Sequence, residues 1–315
     1  MRLGRRHFLS TAAASVAAPA HAAEPDVLVV GAGVAGLAAA RVLIGANRSV
    51  VVVDARDRIG GRTVTDATTF GFPVDLGAQW LEAARSNPAI GMLRDLNAKA
   101  FVDREQQSIY LGGTEISAED YARLGKISTE ASRKLAEMLK RKPDTAVSEV
   151  LVPQNPLEQL AFAMVGPLES GVELSELSAR DFLRQPETDP FVSVPEGLGT
   201  LVARWGAKVP VKLGTRVVRI DSTGSLVLVV TTNGQFAART AIVTVPTGVL
   251  AQGPFGFAPQ LSPAKREAIA RLPMASFNRI VVSFGRPVFD TPPDRTVVGL
   301  TRRGQAFDAV VRPQG

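Results

Sequence analysis

Two short apolar runs near the start of the chain predict neighbouring buried strands. The first covers residues 26–30 (Asp-Val-Leu-Val-Val) and the second residues 49–53 (Ser-Val-Val-Val-Val). Such runs, rich in β-branched residues, are typical of a parallel sheet with both faces covered. Residues 37–44 between them follow an Ala-rich helical pattern, which Gly45 and Asn47 end. The pattern therefore predicts a strand–helix–strand unit.

The pattern changes later in the chain. Residues 118–184 are polar and helix-rich, with the clearest helix at Glu130–Arg141, and prolines divide the region into short pieces. Alternating apolar positions over Leu226–Thr232, followed by Asn233-Gly234, predict a hairpin within a β-meander.

The composition removes several kinds of chemistry. The chain has no cysteine, which excludes disulfides, thiolate metal sites, cysteine nucleophiles and a cysteinyl-linked cofactor. The only histidines, His7 and His21, precede residue 24, so a chain processed there has no imidazole for a catalytic triad or a metal site. The net charge of +6 is not concentrated in a basic patch. Neither a metal site nor a nucleic-acid partner is therefore predicted.

Residues 1–23 have the features of an export signal. Arg5-Arg6 is followed by Phe8-Leu9, an Ala-rich apolar stretch and an Ala-x-Ala site ending at Ala22. This order predicts a twin-arginine signal peptide, the translocase as a partner during export, and a periplasmic or extracellular location. The apolar stretch is shorter than the ~20 residues of a spanning helix, so no stable membrane span is predicted.

A glycine-rich turn follows the first predicted strand. It reads Gly31-Ala-Gly33-Val-Ala-Gly36, and the predicted helix comes next. Gly31 permits a tight turn, Gly33 lets the backbone approach a pyrophosphate, and Gly36 lets helix and strand pack closely. Asp54 ends the second strand, where a carboxylate can accept from ribose hydroxyls. These features predict a dinucleotide site.

The next residues select the cofactor. Arg58-Ile-Gly60-Gly61-Arg62 offers bare backbone beside a diphosphate and an arginine donor for phosphate oxygens. This element, directly after the acid, resembles the flavin-dependent amine oxidase family (monoamine, polyamine and L-amino-acid oxidases). The resemblance implies non-covalently bound FAD. The residues predicted to contact it lie in the turn, after the second strand, beside the flavin ring and at the adenine: Gly31, Ala32, Gly33, Val34, Ala35, Gly36, Asp54, Ala55, Arg56, Gly60, Gly61, Arg62, Gly77, Ala78, Gln79, Trp80 and Val217 (or Val218).

Further segments are similar to the family in the same order. They are residues 75–80 beside the ring, 194–199 at the return to the cofactor domain, 215–220 at the adenine, and 241–250 beneath the dinucleotide. The resemblance covers most of the chain from Asp26 to about Asp290. Within it, Phe277–Phe284 matches a substrate-domain strand whose lysine holds a water near flavin N5 in the family. Here that position is Arg279, the candidate catalytic residue, which keeps the charge but cannot serve as a base.

The implied fold class is α/β, with a Rossmann-like FAD-binding domain interleaved with an α+β substrate domain. The predicted boundaries are 1–23 for the signal, 24–85 and 193–255 for the FAD domain, 86–192 for a largely helical substrate domain, and 256–315 for an incomplete second substrate segment. The family's last Gly-rich segment has no counterpart after Asp290, so the chain is predicted to be truncated at its C-terminus.

The implied function is oxidation of an amine. Hydride passes from the carbon beside the nitrogen to flavin N5, and water hydrolyses the resulting imine, while dioxygen or another acceptor takes the electrons. Two alternatives stay open: a desaturase-like or protoporphyrinogen-oxidase-like flavoenzyme, and a flavin-binding protein without turnover.

Overall fold

The computed structural model describes residues 24–103, 107–185, 190–253, 256–286, 288 and 296–310. The predicted signal peptide, residues 1–23, lies outside the described residues. The strands are β1 Val27–Val30, β2 Val50–Val53, β3 Thr65–Asp66, β4 Val74–Asp75, β5 Trp80–Leu81, β6 Phe101–Asp103, β7 Gln107–Leu111, β8 Thr114–Glu115, β9 Phe191–Ser193, β10 Val211–Lys212, β11 Val217–Asp221, β12 Val227–Thr231, β13 Gly234–Ala238, β14 Thr240–Val243, β15 Gly256–Ala258, β16 Thr296–Leu300 and β17 Ala306–Val310. The α-helices are α1 Val34–Gly45, α2 Gly91–Leu96, α3 Ala118–Leu139, α4 Pro156–Ala163, α5 Ala179–Leu183, α6 Leu198–Gly206, α7 Thr247–Gln252 and α8 Pro263–Ala270.

A four-stranded parallel sheet in the order β10-β2-β1-β14 forms the centre of the fold. It confirms the predicted strand–helix–strand unit, because β1, α1 and β2 follow each other directly. On one face, Val29 and Val52 pack with Leu37 of α1 and Leu201 of α6. Leu37 and Leu201 have no exposed surface, and burial of such a side chain contributes about 1.5–3 kcal/mol to folding.

A second sheet, in the order β13-β12-β11-β15, covers the other face. The predicted hairpin is confirmed, since β12 and β13 pair in antiparallel register and Gly234 lies opposite Thr231. Val217 of β11 packs with Leu28 and Val53 of the central sheet. Both faces of β1 are therefore buried, which explains its continuous apolar run.

The region predicted to be helical contains α3 to α5. Helix α3 is longer than the predicted Glu130–Arg141, because Ser117 starts it earlier by accepting a hydrogen bond of 3.1 Å from the N–H of Asp120. Its buried positions, Leu124, Ala131 and Leu135, lie on one side of the helix. Strands β6 to β8 precede this region, within the predicted 86–192 segment.

The last described segment forms a hairpin of β16 and β17 that joins β7 and β8 in a sheet of the order β17-β16-β7-β8. By contrast, the strand predicted at Phe277–Phe284 is wrong, because these residues are irregular. A strand requires a partner, and none of the described strands pairs with this segment. Its apolar side chains are consequently exposed, Phe277 by 65% and Ile280 by 86%. None of the helices in the described part of the chain is both long and apolar enough to span a membrane.

Candidate functional site

The glycine-rich turn connects β1 to α1 at the carboxyl edge of the parallel sheet. Gly31 has φ +107°, which favours glycine, and a Cβ there would lie 2.7 Å from Thr244 Oγ1. A Cβ on Gly36 would overlap the carbonyl oxygen of Gly31. Gly33 differs from both, since its φ is −73° and the nearest atom to a Cβ would be Cα of Gly61 at 3.8 Å. Packing within the protein does not require glycine at 33, whereas the close approach of a dinucleotide would.

The N-terminus of α1 opens at this turn. Gly33 is its N-cap, and the helix has neither a side-chain cap nor an acidic residue in its first turn. The N–H groups of the first turn lack partners within the helix and carry a partial positive charge. Such a terminus can bind a pyrophosphate. The turn, with buried Ala32 and exposed Ala35, thus lies where the sequence predicts the diphosphate.

Asp54 links the end of β2 to this turn. Its Oδ2 accepts a hydrogen bond of 2.7 Å from the N–H of Ala32, and its Oδ1 accepts one of 2.8 Å from the N–H of Arg56. Each carboxylate oxygen can accept a further hydrogen bond, so the predicted ribose contact remains chemically open. Ala55 is exposed beside it.

The arginine–glycine element packs against the turn. The N–H of Gly60 donates to the carbonyl of Ala32 at 2.8 Å, and a Cβ on Gly61 would lie 3.0 Å from Cα of Gly33. The guanidinium groups of Arg56 and Arg58 both donate to the carbonyl of Gly61, at 2.8 and 3.0 Å. Burial lowers the pKa of Arg58, and the charge of Arg56 lowers it further. These two arginines thus fix the loop.

Arg62 leaves the loop as an exposed side chain. Its carbonyl oxygen accepts a hydrogen bond of 3.1 Å from the N–H of Ala78. A Cβ on Gly77 would overlap the same carbonyl, so the segment predicted to lie beside the flavin ring is held directly against the arginine–glycine element. Trp80 follows in β5 and packs edge-on against Phe191, with ring centroids 6.0 Å apart.

Arg279 reaches this ring-side segment from the irregular stretch. Its Nη1 donates to the carbonyl of Asp75 at 3.3 Å and also contacts Oε1 of Gln79. Nε2 of Gln79 is buried without a hydrogen-bond partner among the described residues. Buried donors of this kind are normally satisfied, and an acceptor on a ligand such as a flavin carbonyl would satisfy this one after a small local adjustment. The unpaired Nε2 of Gln79 and the space at Gly33 together indicate that the site fits a flavin dinucleotide.

Val217 lies at the start of β11, at the adenine end of the predicted site. Its side chain is buried, and it pairs with Thr231. A bulge follows, so that Arg219 pairs with Val230 and Val218 is left out of the ladder. Val218, the alternative adenine contact, therefore has no paired residue on β12.

Sequence reasoning missed two neighbouring carboxylates, Glu169 and Asp308, of which Asp308 interacts with the charge of Arg279. Burial raises the pKa of Glu169, and the charges of Glu82 and Asp308 raise it further. Burial also raises the pKa of Asp308, which the positive charge of Arg279 opposes. Both side chains keep contact with solvent, although surrounding protein atoms remove part of their hydration. No motif marks Glu169 or Asp308, because separate segments bring them together only in the folded chain.

A glycine-rich turn between a parallel strand and a helix without a side-chain cap is typical of dinucleotide-binding α/β proteins. Residues 34–311 match the model of the flavin containing amine oxidoreductase family. The chain belongs to this family, and the match confirms the predicted family and its cofactor, FAD. The match reaches residue 311, whereas the resemblance was expected from the sequence to end at about Asp290.

Individual relatives show the same likeness. The chain is 30% identical over 313 residues to polyamine oxidase 3 of Oryza sativa subsp. japonica, covering 90% of this chain and 64% of the relative. It is 30% identical over 321 residues to lysine-specific histone demethylase 1B of Mus musculus, covering 91% and 38%. Among solved structures, wild-type putrescine oxidase bound to putrescine matches with a TM-score of 0.63 at 20% identity, over 78% of this chain and 63% of that one. The structural likeness supports the mixed α/β fold, and the chain spans under two thirds of these relatives.

Proposed function

We propose that this chain binds FAD and oxidises an aliphatic amine at the carbon next to the nitrogen. The observation that carries the proposal is the junction of three elements: the glycine-rich turn, the arginine–glycine loop and the ring-side segment, joined through Ala32, Gly60, Arg62 and Ala78. Family membership supplies the reaction class. The predicted domain division, with residues 24–85 and 193–255 forming the FAD domain, is part of the proposal.

The chemistry that a bound flavin supplies is acceptance of a hydride from the amine's α-carbon. The protein's residues bind and orient. The first turn of α1 would hold the diphosphate, and Asp54 would accept from the ribose. Arg279 stays protonated at all accessible pH values, so it provides a fixed positive charge and donors at the ring-side segment but no base. Loss of hydride from the neutral amine leaves an iminium ion, the protonated imine, which water hydrolyses to a carbonyl compound and a protonated amine or ammonium.

A group of three carboxylates, Glu82, Glu169 and Asp308, supports a cationic substrate. The charges of Glu82 and Asp308 raise the pKa of Glu169, so the three groups are near neighbours, and their negative charges attract an ammonium group. Relatives named polyamine oxidase and putrescine oxidase act on substrates of this charge. We therefore propose diamines or polyamines as the substrate class, with dioxygen or another acceptor taking the electrons.

Flavin content and anaerobic titration of the purified chain test the proposal. Retained FAD whose visible absorbance is bleached by putrescine or spermidine, with the aldehyde as product, is the expected result. Retained FAD that no amine bleaches would contradict the proposal and favour flavin binding without turnover. Bleaching by a tetrapyrrole instead would favour the second flavoenzyme class.

We also propose export through the twin-arginine translocase to the periplasm or the extracellular space. The support is the order of charged, apolar and small residues in 1–23. Replacing Arg5 and Arg6 by lysine should leave the protein in the cytoplasm, as measured by fractionation, whereas an unprocessed wild-type N-terminus in mass spectrometry would contradict the proposal.

A further inference from the structure

Helix α6 begins without a cap of its own. Its N-cap is Gly197, which has no side chain to accept from the first turn. Three of the first N–H groups are nevertheless satisfied from a distant part of the chain. Leu198 donates to Oδ2 of Asp75 at 2.9 Å, Gly199 to Oδ1 of Asp75 at 3.2 Å, and Thr200 to Oγ1 of Thr65 at 3.0 Å.

The two capping residues are opposite each other in the β3–β4 pair. The hydroxyl of Thr65 donates to Oδ1 of Asp75 at 2.5 Å, so one hydroxyl both orients the carboxylate and accepts from α6. A Cβ on Gly199 would overlap the backbone N of Thr65, which shows how closely the helix approaches the strand pair. The carboxylate charge also lies at the positive end of the helix.

The other side of Asp75 faces the candidate site. Its carbonyl oxygen accepts from Arg279 at 3.3 Å, and Arg279 in turn contacts the amide of Gln79. Because Arg279 can only donate, the amide must turn its oxygen toward the guanidinium and its Nε2 away. Asp75 thus connects the start of α6 to Arg279 and, through it, to Gln79 of the ring-side segment.

We propose that Asp75 is a positioning residue, which anchors the ring-side segment on helix α6 and so sets the placement of Gln79 and Arg279 at the flavin. This inference rests on the proposed FAD site. A purely structural cap would affect only folding stability, whereas a positioning residue also changes the environment of the bound flavin.

The test compares Asp75→Asn with Asp66→Asn in the flavin-loaded protein. Asp66 is a matched control, because it belongs to the same strand pair and also accepts three hydrogen bonds, from Thr68 (N–H and hydroxyl) and Thr69. An asparagine at 75 loses one acceptor and turns N–H donors toward the N–H groups of α6. We expect Asp75→Asn to change the visible circular dichroism and midpoint potential of the flavin and to raise its dissociation constant about tenfold. Asp66→Asn should lower only the melting temperature.

An Asp75→Asn protein that melts earlier but has the flavin spectrum, potential and affinity of the wild type would overturn the inference. If that variant does not fold, Thr65→Ala, which keeps the carboxylate charge, should still alter the flavin spectrum, and an unchanged spectrum would overturn it as well. None of these readouts needs an amine, so a spectral change in a chain that oxidises no amine would keep this inference and reject only the proposed reaction. A wild-type chain that binds no flavin would reject both.

Discussion

The carboxylate of Asp54 accepts a hydrogen bond from the N–H of Ala32 at 2.7 Å, and this contact connects the end of β2 to the glycine-rich turn. The same side chain accepts a hydrogen bond of 2.8 Å from the backbone N–H of Arg56. A single residue therefore connects the glycine-rich turn to the loop that begins the arginine–glycine element. Asp54 therefore shapes the site through contacts within the protein, in addition to its predicted contact with the ribose.

Asp54→Asn should weaken FAD binding about tenfold to a hundredfold. The amide cannot accept from both N–H groups, and loss of one hydrogen bond to a charged group costs about 1.5–3 kcal/mol. Equilibrium titration of the apoprotein with FAD measures the effect. Asp57→Asn is the control, since Asp57 is exposed in the adjacent loop. Equal affinities of the two variants would show that Asp54 does not order the site.

Gly33→Ala and Gly36→Ala should separate binding from folding. At Gly33 the φ of −73° suits alanine, and the nearest atom would be 3.8 Å from the new Cβ. The free energy of unfolding of the apoprotein should therefore change by no more than about 1 kcal/mol. Gly33→Ala should nevertheless lose FAD binding, because the methyl group would occupy the space of the diphosphate. At Gly36 the Cβ would overlap the carbonyl of Gly31, and soluble protein should be lost. Normal FAD binding by Gly33→Ala would place the diphosphate elsewhere.

Glu169→Gln should stabilise the protein at neutral pH. Burial and the neighbouring carboxylates raise the pKa of Glu169 in the folded state. Its contribution to stability is therefore complete below the unfolded pKa and is lost as pH rises through the folded pKa. Removing the ionisable group should raise the melting temperature near pH 7 only slightly, because Glu169 is exposed and solvent screens its charge. It should have little effect near pH 4 and should weaken binding of putrescine at pH 7.

Glu137→Gln provides the comparison for that pH dependence. The hydrogen bond from Lys140 lowers the pKa of Glu137, on the exposed surface of α3. The pH dependence of stability has the opposite sign, because the contribution of Glu137 is present above its unfolded pKa and is lost as the pH falls through its folded pKa. If the melting temperature of Glu169→Gln varies with pH in the same way as that of Glu137→Gln, Glu169 does not interact with Glu82 and Asp308 as inferred.

Arg279→Gln should slow anaerobic flavin reduction by amines about a hundredfold, the effect of removing one preorganised electrostatic donor. Arg279→Lys should be milder, because it keeps the positive charge, and it should introduce a pH-dependent step that the wild type lacks, since lysine can deprotonate and arginine cannot. Stopped-flow reduction across pH gives both quantities. Arg271→Gln, which breaks an ion pair with Glu267 on the surface, should change neither. Equal rates for Arg279→Gln and the wild type would show that Arg279 is only structural.

Much of the fold follows from local patterns. The runs that became β1 and β2, the helix between them and the hairpin of β12 and β13 agree with the structure, because each depends on periodicity and turn residues within a few positions. The strand predicted at Phe277–Phe284 is wrong because its formation depends on residues that are distant in sequence. A strand is stabilised by its neighbours, and an apolar stretch does not specify which segment will pair with it.

The sequence by itself determined the family and the cofactor chemistry, since the glycine spacing, the terminal acid and the arginine–glycine element act through short stretches of backbone. Only the tertiary structure decided which distant side chains meet. The cap of α6 by Asp75 joins positions 123 residues apart, and the contact of Gln79 with Arg279 joins positions 200 apart. Contacts at that separation depend on how sheets and helices pack, which leaves no periodic signal along the chain.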